Sequence, residues 1–269
     1  MNESSEREGA YTPRHVKLAT YNVRTLGKDG GLDIGKLFQL EMGCAKHNID
    51  IAAMQEHRQQ TDTEDGTEIV HTDKGVLVFS SADERSVGGV GIYIRGRLKK
   101  LLLAHVRVSE RILVAYFDTN PQLVLVAAYA PTETSDDCDK DAFYDELNTT
   151  LEAIEPHCLA IMAGDFNARV GRDSCESCPS VVGRHLYHPQ TNDNGTRLVS
   201  TCQNVNLKIA QSKFQHRPGR LWTWTHPGGA RQAQLDHIII NSKWTNSLRN
   251  CRAYSSVNLQ SDHRIVCCT

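Results

Sequence analysis

Apolar positions along this chain come in short runs broken by polar turns. Alternation over 16–22 predicts a strand that ends at Asn22. A second buried strand over 50–56 has Glu56 at its end, and residues 57–75 read as a polar loop. Asp33 is placed to cap a helix whose apolar face would be Ile34, Leu37, Phe38, Met42 and Ala45. Runs at 76–80, 89–94, 111–117 and 123–129 then predict strands in meander pairing, with 98–108 a further one. Phe143, Leu147, Leu151 and Ile154 recur at helical spacing within 139–154. A strand over 159–164 stops at Asp165, and a helix starts at 192–195. Short strands follow at 207–210, 221–225, 234–241, 257–259 and 265–268.

Strands outnumber helices, and polar residues collect where apolar runs stop. Two sheets packed face to face, with helices outside, would bring such strand ends to one edge. The 269 residues suit one such domain over 15–269, after a polar, charged tail at 1–14 that reads as disordered. No apolar stretch has the length of a membrane span and no signal-peptide core is present, so a soluble intracellular protein, nuclear or cytoplasmic and not secreted, is expected. Nine cysteines follow no small-domain framework; Cys44, Cys158 and Cys202 lie in apolar surroundings and read as reduced, buried thiols. A net charge of −2 argues mildly against a general nucleic-acid coat protein and leaves room for a local basic groove.

Six motifs stand at the ends of these runs, in order: Tyr21-Asn22, Gln55-Glu56, Tyr129-Ala-Pro-Thr132, Gly164-Asp-Phe-Asn167, Leu235-Asp-His237 and Ser261-Asp-His263. Together they resemble the endonuclease/exonuclease/phosphatase superfamily from about residue 16 to the C-terminus. Within it, the chain is most similar to the apurinic-type endonuclease domains of non-LTR retrotransposons and to the craniofacial development protein 2-like group. The resemblance implies a DNase I-like α/β fold, a four-layer α/β/β/α sandwich of two mainly antiparallel sheets.

It also implies roles. Glu56 is the principal metal ligand, with Asn22 and Asp262 beside the metal. Asp165 activates the attacking water and Asn167 donates to the phosphate. Asp236 orients His263 toward the scissile phosphate, Tyr129 offers a phenol to it, and Thr223 matches a phosphate-side threonine. Hard oxygen donors suit Mg²⁺, with Mn²⁺ as a substitute. Each residue alone has a plainer reading: a strand-end carboxylate for Glu56, an Asx turn for Asn22 and for Asp165-Phe-Asn167, a structural hydrogen bond for Asp236 and His263, and a core tyrosine for Tyr129.

Arg24 departs from the pattern of repair-type relatives, which carry an aspartate there; an arginine cannot hold a metal but can pair with a DNA phosphate. Lys213, Arg217, Arg220 and Arg231 interleave with Phe214, Trp222 and Trp224 without an acid, as a phosphate-tracking groove would. Of these, Arg220 and Trp224 are the substrate-binding candidates. Arg95, Arg97, Lys99 and Lys100 form a second basic run. Both runs read equally well as solvated loops. Cys175, Cys178, His185 and His188 have zinc-type side chains, but their spacing fits a surface loop better.

The leading expectation is a Mg²⁺-dependent DNA endonuclease of retrotransposon origin that nicks one strand and leaves a 3′-hydroxyl. No polymerase follows the last motif within these residues, as in a fragment, an isolated domain or a domesticated gene. A phosphatase or lipid phosphodiesterase of the same fold, and an inactive nucleic-acid- or protein-binding module, are the alternatives.

Overall fold

The computed structural model describes residues 15–28, 31–229 and 231–269; the expected tail at 1–14 lies outside them. The chain begins with β1 (Leu18–Asn22), a two-stranded ribbon of β2 (Gly27–Lys28) and β3 (Gly31–Leu32), and α1 (Ile34–Lys46). The strands β4 (Ile51–Gln55), β5 (Thr67–His71), β6 (Gly75–Ser80) and β7 (Val90–Arg95) follow. A 3-10 turn over Gly96–Leu101 leads to β8 (Leu102–Arg107), β9 (Ile112–Phe117) and β10 (Leu123–Tyr129). Then come α2 (Asp137–Glu152), β11 (Leu159–Asp165), α3 (Arg172–Ser177), α4 (Asp193–Asn204) and β12 (Leu207–Ile209). A small ribbon of β13 (Trp224–Thr225) and β14 (Gln232–Ala233) precedes β15 (Asp236–Asn241), β16 (Cys251–Tyr254) and β17 (Ile265–Cys268).

Two sheets carry the fold. One runs β16-β17-β1-β4-β7-β6-β5 and the other β12-β15-β11-β10-β9-β8. Each has one parallel pair, β1 with β4 and β10 with β11, and its other pairs are antiparallel. Period-two alternation divides the apolar side chains between three layers. Leu18, Ile51 and Ala53 face the other sheet, among Leu113, Ala115, Leu125 and Ala127. Ala19, Tyr21, Ala52 and Met54 face α1, against Leu37, Leu40 and Cys44. On the far side, Val124, Val126 and Met162 meet Phe143, Leu147 and Leu151 of α2 and Leu198 and Cys202 of α4. Central strands covered on both faces are buried throughout, as in β1, β4 and β10. The result is the expected α/β/β/α sandwich.

Several local expectations change. Asp33 does cap α1, accepting from the Lys36 N–H. The helix, however, buries Leu37, Leu40, Glu41 and Cys44, while Ile34, Phe38 and Met42 face solvent at 69%, 56% and 45% exposure. Both stripes have helical spacing, and the packing partner selects one. The 57–75 loop contains β5, an edge strand that is mostly exposed, so it lacks an apolar signature. The strands from 76 to 129 form not one meander but two, divided between the sheets at the 3-10 turn. No strand forms over 257–259; β16 replaces it, and Val257 and Leu259 pack beneath α1 instead. The 221–225 strand shrinks to Trp224–Thr225 after a 3-10 turn at Pro218–Arg220. Among the described residues no helix is long and apolar enough to cross a membrane.

Candidate active site

The two parallel pairs end on the same edge of the sandwich. β1 and β4 end side by side at Asn22 and Gln55, just before Glu56, and β10 and β11 end at Tyr129 and Asp165. Two antiparallel strands begin there: β15 at Asp236, directly across from Asp165, and β17 just after His263. Six strand ends from distant parts of the chain therefore deliver their polar residues to one place.

Backbone conformation aims them. Arg24, Glu56, Arg58, Asn167 and Gln260 all have positive φ, between 49° and 61°, which non-glycine residues seldom adopt. The plainer turn reading is realised at Asn22 and at Asp165. Asn22 Oδ1 accepts the Arg24 N–H at 2.9 Å, and Asp165 Oδ1 accepts the Asn167 N–H at 3.0 Å. These Asx turns hold one face of each side chain and leave the other for the site. Gly164 precedes Asp165 because a Cβ there would lie 2.0 Å from the Ala128 carbonyl oxygen on the neighbouring strand.

Asn22 Nδ2 lies at the centre. It donates to Glu56 Oε1 at 2.8 Å and to Asp165 Oδ2 at 2.9 Å. The Tyr129 hydroxyl donates to the same Glu56 Oε1 at 2.9 Å, and Arg58 Nη2 pairs with Oε2 at 2.9 Å. Burial alone would raise the Glu56 carboxyl, but the hydrogen bonds from Asn22, Arg58 and Tyr129 hold it below the ordinary range. Burial and the Glu56 carboxylate push the Tyr129 phenol far upward, so it stays a donor.

His263 Nδ1 lies 3.0 Å from Asp236 Oδ2, and its Nε2 lies 3.7 Å from Asp165 Oδ2. Burial alone would lower the imidazole, but the carboxylates of Asp236 and Asp165 outweigh it and push the group up to about 10. Burial, then the charge of Asp236, raises Asp165 to about 7 against the pull of His263 and Asn22. Ser261 ties the motifs together, its hydroxyl donating to the Asn22 carbonyl at 2.7 Å and accepting the His263 N–H at 3.1 Å.

A cleft of about 310 Å³ opens over this set, lined among others by Arg24, Glu56, Tyr129, Asn167, Trp224 and Asp262. Trp224 Nε1 donates to Asp262 Oδ2 at 3.0 Å. Asn167 Nδ2 donates to the Ala130 carbonyl. Arg24 is exposed at the lip. Thr223 lies beneath the cleft, buried, its Oγ1 accepting from the N–H groups of Leu235 and Asp236. Arg220 is exposed on its 3-10 turn and does not line the cleft.

The basic runs separate. Trp222 lies under the Arg264 guanidinium and Phe214 packs on the core between the sheets, which leaves Trp224 at the cleft. Arg95 ends β7 at the edge opposite Glu56, since Val90 rather than Arg95 pairs with Gln55. The run from Arg95 to Lys100 therefore cannot share a groove with the site. The zinc-type residues do structural work: Cys178 lies in the α2–α4 core layer and His188 Nε2 accepts the Gln234 N–H at 2.9 Å.

The model of the endonuclease/exonuclease/phosphatase family matches residues 19–263. The chain belongs to that family. Craniofacial development protein 2 of Bos taurus is 26% identical to it over 250 residues, which are 93% of this chain and 40% of that protein. The chain thus spans about two fifths of the length of that relative. Among solved structures, the catalytic domain of Xenopus laevis APE2 superposes with a TM-score of 0.68 at 16% identity, over 94% of this chain and 91% of that one. The endonuclease domain of TRAS1, a telomere-specific non-LTR retrotransposon, superposes with a TM-score of 0.61 at 13% identity, over 95% and 98%. At such identities the likeness is one of fold, that of the family's nucleases and phosphatases.

Two residues that contact the candidate site have no local signature in the sequence. Arg58 gave only a charge next to a motif, and Ser261 was quoted as part of a motif without a role. Their contacts join segments far apart in the chain.

Proposed function

We propose that this family member is a divalent-cation-dependent phosphodiesterase of retrotransposon descent that nicks one DNA strand and leaves a 3′-hydroxyl. The observation that carries this reading is the Asn22 amide, bonded at once to Glu56 and Asp165. It sets a carboxylate suited to a cation beside a carboxylate suited to a proton.

Glu56 and Asp262 are hard oxygen donors fit for Mg²⁺ or Mn²⁺, whereas Asn22, whose Oδ1 accepts the Arg24 N–H and whose Nδ2 faces both carboxylates, holds Glu56 in place rather than ligating the cation itself. When bound there, the cation supplies positive charge to the phosphoryl oxygens. The ligand atoms of Asp165, Asp236 and His263 also converge within 4.8 Å, with His263 Nδ1 engaged by Asp236. That group is a hydrogen-bonded Asp236–His263 pair with Asp165 3.7 Å from the far ring nitrogen.

Within it, Asp165 is a base matched to neutral pH, able to take a proton from an attacking water. The imidazolium of His263 offers positive charge where negative charge develops on phosphorus-bound oxygens. Asn167 keeps a second amide N–H for a phosphoryl oxygen, and Arg24 is placed for a backbone phosphate. The likeness to the TRAS1 domain supports DNA as substrate, as does the arginine and tryptophan on the cleft wall.

Supercoiled plasmid incubated with Mg²⁺ tests this. Wild-type protein converts it to nicked circle with ends that a polymerase extends, and chelation stops the reaction. Glu56→Ala and His263→Ala abolish it. Variants indistinguishable from wild type would remove the proposal.

A further inference from the structure

The two oxygens of Glu56 have unlike partners. Oε1 is held by Asn22 and by Tyr129, both buried. Oε2 is held by Arg58, whose side chain is 45% exposed against 18% for Glu56. The backbone around Arg58 is fixed. Its N–H donates to the Gly88 carbonyl, and the neighbouring His57 is buried with Nδ1 accepting the Gln59 N–H at 3.0 Å. A hydrogen-bonded turn thus presents a half-exposed guanidinium beside the cleft, on the same carboxylate a cation would need. An ion pair this open to water contributes little, whereas a bidentate pair with phosphate is stronger and geometrically specific.

We propose that Arg58 is a competing counter-ion. It occupies Glu56 until a nucleic-acid phosphate draws the guanidinium away, so that cation and DNA bind with positive cooperativity through one carboxylate. The inference rests on the reading of Glu56 as the cation ligand. Linkage requires the effect to be reciprocal: whatever factor DNA adds to cation affinity, the cation adds to DNA affinity.

The test is a titration of the full chain with Mn²⁺, followed by the electron-spin signal of the free ion, with and without a short phosphorothioate duplex that resists cleavage. In the wild type the duplex tightens Mn²⁺ binding. In Arg58→Ala, Mn²⁺ alone binds about two- to fivefold more tightly, as expected for removal of an exposed competitor, and the further tightening by DNA shrinks. Arg58→Lys, which keeps the charge but cannot make the bidentate phosphate pair, still competes for Glu56 and keeps only part of the coupling. Arg58→Gln, similar in length and uncharged, behaves like Arg58→Ala and serves if that variant does not fold. Unchanged Mn²⁺ affinity and unchanged coupling in folded Arg58→Ala or Arg58→Gln, with Glu56→Ala still weakening Mn²⁺, overturns the competing role alone. If Glu56→Ala binds Mn²⁺ as the wild type does, the cation site is not at Glu56 and both readings fall.

Discussion

Asn22 Nδ2 and Asp165 Oδ2, on residues 143 positions apart in the chain, are 2.9 Å apart and both buried. They lie in different sheets, so the contact exists only because the two sheets pack with their parallel strand pairs ending on one edge. The same amide also holds Glu56, and its removal unties both carboxylates at once.

Asn22→Ala is therefore expected to cost far more activity than stability. Nicking should fall about 100-fold or more, the size typical of losing one preorganised donor, while the urea midpoint moves little. Asn22→Asp should be at least as inactive, since it sets a third negative charge against Glu56 and Asp165. Plasmid nicking alongside chemical denaturation checks both. Near-normal nicking by Asn22→Ala would contradict the central place given to this amide.

Asp236→Asn should bring the imidazole of His263 down from about 10 toward its ordinary value near 6.5. The wild-type ring stays charged across neutral pH, so the alkaline limb of its rate profile should lie near 10; in the variant that limb shifts downward and the rate at neutral pH falls. The sign for stability follows from a folded value above the unfolded one. The charged pair's contribution is full below about 6.5 and is lost as pH rises through about 10. Following the His263 ring protons by NMR against pH tests the assignment directly.

Thr223→Val keeps the shape of a buried side chain but leaves the N–H groups of Leu235 and Asp236 without their acceptor. A loss of about 1–3 kcal/mol in unfolding free energy is expected, with reduced nicking because Asp236 is no longer anchored. Thr223→Ser should restore both. A phosphate-contacting role alone would lower activity and leave stability unchanged, so the pair of measurements separates the two.

His57 and His188 are both buried and neutral, burial pushing each down to about 4 from 6.5. The unfolded chain takes up these protons first as pH falls, so stability should decline between about 6.5 and 4. For the fully enclosed His57, a shift of that size corresponds to roughly 3 kcal/mol. Urea unfolding at a series of pH values, comparing the wild type with His57→Gln, should show a shallower acid decline in the variant. Parallel declines would exclude His57 as a source.

What the sequence determined by itself is local. A short continuous apolar run marks a strand wherever both faces are covered, which is why β1, β4, β10 and β11 were legible together with the polar residues at their ends. Caps act within one turn, so Asp33 and Asn192 announced α1 and α4. What only the tertiary structure decided depends on which surfaces meet. α1 carries two apolar stripes, and burial of Leu37, Leu40 and Cys44 rather than Ile34, Phe38 and Met42 follows from the sheet beneath it. Strand register places Arg95 at the edge away from Glu56, although the charge run looked like part of a groove. Thr223 beneath Asp236, and Arg58 on Glu56, are contacts made by folding, because a side chain's partner across space leaves no period in the chain that encodes it.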